Sequence, residues 1–355
     1  MIDLRSDTLT KPTAEMRTAM GEAEVGDDGR SGKDGKGEDP TVAKLEQVAA
    51  EMTGKEDALY CGSGTMANYV ALLTHCKRGE KVLVGTNSHL YKNEKAPFMK
   101  DWGGLDPVFF EEDKQGFPNV SNVEEELGNA DIKLMCLENT HNFMGGTCLS
   151  PQHMKALCDA AHKKGVPVHL DGARIFNAAV YLNVPLEKLV KGADTLMFCL
   201  SKGLSAPVGS VLCGSNEFIA QARQVRKLLG GTMRQAGVIA TAGIVSLNSL
   251  VTRLEEDHRN ASLLAKEIAR KGHVQIEVEK TQTNIVKLDL SQTKFSAKEL
   301  EQLLFDNGLK VKRVSDHYLR LTTYREIQED DIYRAAAIFN ESVEELEEKI
   351  RVSDG

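Results

Sequence analysis

Short apolar runs, each bounded by polar residues or glycine, recur along the first two thirds of the chain. Such runs predict buried β-strands, and they lie at residues 59–61, 81–84, 133–137, 166–170, 194–199 and 209–213. Amphipathic segments separate several of them and predict helices, for example over residues 40–52 and 152–164. Strands that alternate with helices favour an α/β fold, in which helices cover both faces of a mostly parallel sheet. We predict such a large domain over residues 1–245.

The pattern changes near residue 245, where we place a domain boundary. One long helix is predicted from Val238 to Lys271, with Leu247, Leu250 and Leu254 on its apolar side. After it, strand patterns at 274–278, 284–288, 311–314 and 318–321 interleave with helical patterns at 297–307 and 328–346. This order predicts a smaller α+β domain over residues 246–355.

The 355 residues carry a net charge of −8, with acidic and basic side chains mixed along the chain. This distribution argues against nucleic acid or an anionic membrane as the main partner. No apolar run approaches the roughly 18 residues of a spanning helix, and the segment Met1–Asp7 lacks the apolar core of a signal peptide. The seven cysteines are odd in number and lie mostly in apolar stretches. We therefore expect reduced thiols and a cytoplasmic protein.

The clearest indication of chemistry is Lys202, which follows the run 194–199 and precedes glycine and small residues. Desolvation there favours the neutral amine, which can form a Schiff base with an aldehyde. Asp171 ends the run 166–170 in the same way. A carboxylate and an amine at neighbouring strand ends fit a pyridoxal 5'-phosphate (PLP) site, because the carboxylate holds the pyridinium nitrogen and the amine holds the aldehyde. Taken singly, Asp171 also fits a helix cap and Lys202 a solvated loop amine.

Residues 62–65, Gly-Ser-Gly-Thr, lie between a predicted strand and a predicted helix. Small residues let a ligand approach the backbone, and the free N–H groups at a helix N-terminus attract an anion such as phosphate. Ser63, Gly64 and Thr65 are therefore candidate phosphate-binding residues. The alternative is a tight turn in which Ser63 or Thr65 caps the helix.

Two histidines also follow predicted strands. His89 comes after the run 81–84 and could stack on a planar cofactor, and His141 lies just after the run 133–137. Open α/β sheets bind ligands at the carboxyl ends of their strands, although each histidine alone is equally typical of a loop. His89, His141 and His169 lack metal-ligand spacing, so we predict no metal site.

Three arginines are candidate anion ligands. Arg174 follows Asp171 closely, Arg234 lies in the glycine-rich turn 230–237, and Arg320 alternates with apolar residues on a predicted strand. A guanidinium suits bidentate binding of a carboxylate. Each arginine alone is as consistent with a surface position, but the ordered series of phosphate turn, histidines, aspartate and lysine at strand ends favours one common site.

Motifs spread over nearly the whole chain resemble those of the low-specificity L-threonine aldolases, a branch of the PLP-dependent β-eliminating lyase family. They are Asp3-Leu-Arg-Ser-Asp-Thr8, Gly26-Asp-Asp28, Gly37-Glu-Asp-Pro40, Ser63-Gly-Thr-Met66, Ser88-His89, Glu138-Asn-Thr-His-Asn142, His169-Leu-Asp-Gly-Ala-Arg174, Phe198-Cys-Leu-Ser-Lys-Gly203, Ala206-Pro-Val-Gly-Ser210, Met233-Arg-Gln-Ala-Gly237 and Arg320-Leu-Thr322. The resemblance implies the aspartate-aminotransferase-like PLP fold (fold type I). It also implies retro-aldol cleavage of L-allo-threonine or L-threonine to glycine and acetaldehyde. The active sites would be shared between the subunits of a homodimer or homotetramer.

The resemblance also implies a role for each candidate residue. Lys202 would match the Schiff-base lysine and Asp171 the pyridinium partner. The remaining cofactor contacts would be Arg174 at the phenolic oxygen, His89 stacked on the ring, and Ser63, Gly64, Thr65 and a neighbouring subunit's Arg234 at the phosphate. Ser6 and Arg320 would bind the substrate carboxylate, and His141, or a water that it orients, would take the β-hydroxyl proton.

Two segments depart from the family pattern. The turn after Gly26-Asp-Asp28 lacks a tyrosine and is lengthened by the polar stretch 29–36, where we predict a flexible loop. After His89 the family often has an aromatic residue and a tyrosine before glutamate, whereas this chain has Lys92-Asn-Glu94. Both changes concern the pocket for the β-substituent, so alanine racemisation or β-elimination are alternatives, as is a non-catalytic binding protein of the same fold. A nicotinamide dehydrogenase is disfavoured because no Gly-x-Gly-x-x-Gly opens the first strand–helix unit.

Overall fold

The structure, a computed structural model, describes residues 1–30, 32 and 35–353. Its strands are β1 (Ile2–Asp3), β2 (Asp57–Cys61), β3 (Lys81–Gly85), β4 (Asp106–Phe110), β5 (Ile132–Glu138), β6 (Val168–Asp171), β7 (Thr195–Cys199), β8 (Ser210–Gly214), β9 (Ile285–Asp289), β10 (Leu309–Lys310), β11 (Lys312–Arg313) and β12 (Tyr318–Thr322). Its helices are α1 (Ala14–Glu22), α2 (Pro40–Thr53), α3 (Gly64–His75), α4 (Val120–Asn129), α5 (Pro151–His162), α6 (Ile175–Leu182), α7 (Leu186–Leu189), α8 (Asn216–Leu228), α9 (Gly237–Ser249), α10 (Leu254–Ala269), α11 (Ala297–Asp306) and α12 (Glu329–Ser353).

A central sheet carries its strands in the order β2-β8-β7-β6-β5-β3-β4. The strands from β7 to β4 in that order are parallel, whereas β8 runs antiparallel to both β7 and β2. The predicted α/β class with a mostly parallel sheet is confirmed. β4 was not predicted, because it opens with the charged Asp106 and with a proline and is only partly buried.

Alternate residues of the same strands enter different cores, as the period of two along a strand requires. Leu83, Met135 and Phe198 pack into a core on one face of the sheet. Their neighbours in the sequence, such as Val84 and Leu134, pack into a core on the other face. Burial on both faces explains why these strands are continuous apolar runs in the sequence.

A separate core gathers the C-terminal elements. The strands β11, β12 and β9 form an antiparallel sheet that packs with α10, α11 and α12. The N-terminal segment joins this core, because Ile2 and Leu4 are buried in it and β1 pairs in parallel with β10. The domain boundary near residue 245 stays a prediction, and residues 354–355 of the predicted small domain lie outside the described chain.

The predicted single helix from Val238 to Lys271 is in fact two helices, α9 and α10, which bend by 72°. α9 packs against α1 and α2 beside the large sheet, whereas α10 packs against α6, β9 and α12. Because of this bend, α9 and α10 pack into two different hydrophobic cores. Among the described residues, no single helix is long and apolar enough to span a membrane, and only the bent pair α9–α10 reaches that composition when its two parts are added.

The strand predicted at residues 274–278 is not formed. Only Gln275 makes an isolated bridge, to Asp289, and a turn of 3-10 helix follows at Val278–Lys280. The edge of the small sheet beyond β9 is thus a short contact rather than a strand. Sequence periodicity could not distinguish a strand from an isolated bridge followed by a 3-10 turn, because both bury similar side chains.

The polar segment 26–37 is anchored by charge. The carboxylate of Asp28 forms a buried ion pair of 2.7 Å with Arg226, and the partly exposed Lys36 pairs with Asp57 at 2.7 Å. Residues 31, 33 and 34 of the predicted flexible loop lie outside the described residues. Elsewhere, all seven cysteines fall within the described chain, where each is buried and free of disulfide bonds.

Candidate active site

A cavity of about 620 Å³ lies at the carboxyl ends of β6 and β7. It is walled by the start of α3, the N-terminal segment and the small sheet. The predicted site residues that line it are Ser6, Ser63, Gly64, Thr65, His89, Asp171, Arg174, Lys202 and Arg320. Side chains up to 314 positions apart in the sequence thus meet at one edge of the sheet, where open α/β folds place their ligands.

Asp171 ends β6 and is held from two sides. Its Oδ2 accepts a hydrogen bond of 3.1 Å from Asn68 Nδ2, and its Oδ1 accepts one of 3.1 Å from the backbone N–H of Ala173. Asn68 is fixed in turn, because its Oδ1 lies 3.1 Å from Nε2 of His169. Burial lowers the pKa of His169 to about 3, so this ring is neutral. Sequence reasoning missed Asn68, which carries no signal beyond its place on an apolar helix.

Lys202 lies in the loop that follows β7 and is half-buried. Its carbonyl oxygen accepts hydrogen bonds of 2.8 Å from Thr10 Oγ1 and from the backbone N–H of Ser205. These bonds tie the lysine turn to the N-terminal segment. The amine and the Asp171 carboxylate therefore line one cavity from neighbouring strand ends.

The start of α3 has the form of an anion cradle. Ser63 caps the helix, accepting a hydrogen bond of 3.1 Å from the N–H of Met66, and the N–H groups of the first helical turn have no partners within the helix. A Cβ at Gly64 would lie 2.9 Å from Cys199 Sγ, so glycine lets the helix start directly against β7. The helix cap predicted at Ser63 or Thr65 is formed by Ser63, which also lines the cavity, and phosphate binding by Ser63 stays a prediction.

Glu94 adds a second carboxyl group beside Asp171. Its Oε2 accepts a hydrogen bond of 3.1 Å from the same Asn68 Nδ2 that serves Asp171. Burial, followed by the charge of Asp171, raises the pKa of Glu94 to about 8. At neutral pH this raised pKa favours the protonated form of the Glu94 carboxyl group.

Arg174 forms a buried ion pair with Asp7, a residue that sequence reasoning did not single out. Its Nε and Nη2 donate to the two carboxylate oxygens, each at 2.7 Å. Burial alone would raise the pKa of Asp7, but the Arg174 charge outweighs it and holds that pKa well below its usual range. Asn284 Nδ2 also donates to Asp7, at 3.0 Å. Asp7, in the N-terminal segment, thus fixes the position of the Arg174 guanidinium.

Arg320 reaches the cavity from β12. Its Nη1 donates to Asn142 Oδ1 at 2.8 Å, and its Nη2 donates to the carbonyl of Arg5 at 3.3 Å. Its Nε is buried without a hydrogen-bond partner among the described residues. Burial and the neighbouring Arg174 cation lower the pKa of Arg320 to about 10. A cation with an unmet donor is suited to bind a carboxylate.

His89 opens the turn that follows β3 and lines the cavity. Its backbone N–H and that of Asn142 each donate to Glu138, at 2.8 Å. Glu138 therefore ties the ends of β3 and β5 together. Burial lowers the pKa of His89 to about 4, and Asp171 acts in the opposite direction.

Two predicted residues do not line the cavity. His141 is buried, with Nε2 3.0 Å from Glu112 Oε1; burial alone would lower the pKa of His141, but Glu138 and Glu112 outweigh it and raise that pKa. Arg234 is mostly exposed and pairs with Asp27 at 3.1 Å. The next residue after His141, Asn142, takes a place on the cavity wall instead.

The residues present fit PLP. An amine, a fixed carboxylate and a helix N-terminus surround one cavity, and a buried guanidinium donor is left for a carboxylate. The protein family model for β-eliminating lyases matches residues 3–291.

Comparison with known proteins gives the same family. The chain is 38% identical to low-specificity L-threonine aldolase 1 of Arabidopsis thaliana, covering 99% of this chain and 98% of that one. It is 37% identical to the low specificity L-threonine aldolase of Escherichia coli K12, over 95% and 98% of the two chains. The structure of Leishmania major threonine aldolase superposes with a TM-score of 0.78 at 18% identity, over 97% of this chain and all of that one, which shows a shared fold. The chain belongs to the β-eliminating lyase family.

Proposed function

We propose that this protein is a PLP-dependent aldolase that cleaves L-threonine or L-allo-threonine to glycine and acetaldehyde. The observation that carries the proposal is the meeting of Lys202, Asp171 and Arg320 at one cavity. These residues supply an amine for the cofactor aldehyde, a carboxylate for its pyridinium nitrogen and a cation for an amino acid carboxylate. The relatives named L-threonine aldolase support the same activity.

The cofactor is held by residues from several elements. The amine of Lys202 would hold the cofactor aldehyde, Asp171 would pair with the ring nitrogen, and His89 would stack on the ring. Ser63, Gly64 and Thr65 would hold the phosphate, and Arg174 would contact the phenolic oxygen. When bound, PLP supplies the electron sink that accepts the electron pair of the broken Cα–Cβ bond.

The substrate is positioned by its carboxylate. Arg320 offers its buried Nε, which has no hydrogen-bond partner among the described residues. Ser6 lines the same cavity. A carboxylate fixed there would determine which bond at Cα is oriented for cleavage when the cofactor is bound. We propose that Arg320 thereby selects cleavage of the Cα–Cβ bond.

A proton must leave the β-hydroxyl as that bond breaks. We assign this step to His141; because this residue does not line the cavity, it would act through a water that it orients. Its Nε2 is engaged by Glu112, so Nδ1, which is buried without a partner among the described residues, is the nitrogen available. Acetaldehyde then leaves, and a proton added at Cα gives glycine.

We further propose that the active form is a homodimer or a homotetramer in the cytoplasm. Arg234 is exposed on the present chain, and in this arrangement it reaches the phosphate site of a neighbouring subunit. Seven buried cysteines without disulfides are typical of a reducing compartment.

Product analysis tests the proposed reaction. The PLP-loaded protein is incubated separately with L-allo-threonine, L-threonine and L-alanine, and the amino acid products are identified. Glycine and acetaldehyde from the first two substrates are expected. D-alanine from the third, without glycine from the others, would show that the scaffold carries out racemisation and would overturn the proposal.

A further inference from the structure

The amide of Asn142 has only one chemically allowed orientation. Its oxygen, Oδ1, accepts hydrogen bonds from Nη1 of Arg320 at 2.8 Å and from Nη1 of Arg174 at 3.2 Å. Guanidinium groups donate and cannot accept, so turning the amide over would set its NH₂ group against two donors. The Nδ2 group of Asn142 must therefore point away from the arginines.

That fixed NH₂ group lies against His89. Asn142 Nδ2 is 3.3 Å from Nδ1 of His89, so Nδ1 must accept and cannot carry a proton. The amide of Asn93, on the same ring nitrogen at 3.0 Å, must then also present its NH₂ group. Two amides thus donate to one lone pair, and the ring proton is left on Nε2.

We propose that Asn142 and Asn93 hold His89 as a neutral imidazole protonated on Nε2, so that this ring offers the cavity a donor. Asn93 lies in the segment Lys92-Asn-Glu94 that departs from the family pattern. Its side chain is part of the site, where it acts as a positioning residue through His89. Asn142 is the second positioning residue, because it couples the ring to both arginines.

The charges around His89 also act on the protonation equilibrium of its ring. Asp171 from β6 favours the protonated ring, whereas Lys202, Arg174 and Arg320 oppose it. Burial is the largest effect, and it lowers the pKa of His89 to about 4. Glu138 contacts the backbone N–H of His89 and so fixes the position of the residue. A proton on Nδ1 would also face the two amide NH₂ groups, which further favours the neutral ring protonated on Nε2.

This tautomer limits what His89 can do in the proposed threonine cleavage, and this step rests on that proposed function. A ring whose Nδ1 lone pair is occupied and whose Nε2 is protonated cannot take the β-hydroxyl proton. It can donate a hydrogen bond to an oxygen of the substrate. The task of the base is thereby left to another group, such as His141.

The test reads the ring itself by NMR. The PLP-loaded protein is prepared with 15N-labelled histidine, and long-range nitrogen–proton correlations identify which ring nitrogen of His89 is protonated, with His89→Gln as the assignment control. The expected result is an unprotonated Nδ1, a protonated Nε2 and no titration above about pH 5, one unit above the His89 pKa of about 4. A proton on Nδ1, or titration near the ordinary histidine pKa of about 6.5, would overturn the proposal.

Variants of Asn93 separate a positioning role from a structural one. Asn93→Asp places a negative acceptor at Nδ1, so the His89 titration midpoint should rise by about one pH unit or more, a tenfold change in proton affinity. Asn93→Gln keeps a donor and should stay close to the wild type, as should Lys92→Gln at the neighbouring exposed residue, which does not line the cavity. An Asp variant with an unchanged midpoint would contradict the proposal. The NMR result does not depend on catalysis. If the protein proves not to be an aldolase, the tautomer of His89 is still tested, and a different tautomer would not contradict the aldolase activity.

Discussion

Arg174 and Asp7 form a bidentate ion pair in which both contacts measure 2.7 Å and both side chains are almost fully removed from solvent. The pair joins the cavity to an N-terminal segment whose first residues, Ile2 and Leu4, pack in the C-terminal core. The guanidinium also donates to Asn142, which in turn accepts from Arg320. The position of the cationic wall therefore depends on how the chain start is folded.

Replacing Asp7 should destabilise the protein strongly. Asp7→Asn leaves the buried Arg174 charge without its partner, and breaking such a pair costs about 3–5 kcal/mol. We expect a loss of this order in the free energy of unfolding, measured by urea denaturation. The matched control is Asp3→Asn, whose partner Arg5 is exposed, and which should cost at most about 1 kcal/mol. Equal losses in the two variants would contradict the assignment.

Lys202→Ala should abolish covalent attachment of the cofactor. Borohydride reduction links PLP to the amine of the wild type, and mass spectrometry should find that adduct at residue 202 and find none there in the variant. Turnover of L-allo-threonine should fall by at least several hundred-fold, roughly the effect of removing a key catalytic group. Lys55→Met, at a half-buried lysine that donates to backbone carbonyls far from the cavity, should keep the adduct. Near wild-type turnover in Lys202→Ala would defeat the assignment.

Arg320→Lys should weaken substrate binding with little effect on the fold. A lysine keeps the charge but loses the planar pair of donors, so kcat/KM for L-allo-threonine should drop by roughly 10- to 100-fold, mainly through KM. Arg313→Lys is the control, because Arg313 borders the same cavity but pairs with Glu301 and Asp316. Steady-state kinetics at saturating PLP measures both variants. An unchanged KM in Arg320→Lys would argue against carboxylate binding at this residue.

His258 should contribute to acid sensitivity. Burial lowers the pKa of His258 to about 4, whereas in the unfolded chain it lies near 6.5. As the pH falls from 6.5 towards 4, the unfolded chain binds a proton that the folded protein does not, so this group favours unfolding by roughly 1 kcal/mol per pH unit. The stability that the neutral ring provides is thus present above pH 6.5 and lost as the pH falls.

Denaturation curves at several pH values measure this effect. The free energy of unfolding of His258→Gln should fall less steeply between pH 6.5 and about 4 than that of the wild type. His162→Gln, at an exposed histidine, should match the wild-type slope. Parallel slopes for wild type and His258→Gln would contradict the assigned burial effect.

Mixed subunits test whether Arg234 acts across an interface. Lys202→Ala and Arg234→Ala proteins should each be weakly active, and refolding them together should restore activity, because each mixed dimer then contains one site with both residues intact. The control mixture, Lys202→Ala with Asp171→Ala, should not recover, since both residues line the cavity of the same chain. A mixture of the first pair that stays inactive would place Arg234 outside a shared site.

The sequence by itself determined six of the seven strands of the large sheet, all except β4, and the order of the groups at their ends. Buried parallel strands are continuous apolar runs, and the polar residues that end such runs, Asp171 and Lys202 among them, must come together at one edge. Local chemistry also narrowed the cap of α3 to Ser63 or Thr65, and the structure shows that Ser63 accepts from the N–H three residues on.

Only the tertiary structure decided the partners of these groups. Asp7, Asn68 and Asn142 are ordinary polar residues in the sequence, and their importance lies in contacts with residues 26 to 277 positions away. The bend between α9 and α10 was likewise not predicted, because no proline or glycine lies between Ser249 and Leu254 to mark it, and the two helices pack into different cores. Periodicity reports which face of an element is buried, but the burial and charge that fix a hydrogen-bond partner or a protonation state arise only when distant segments pack.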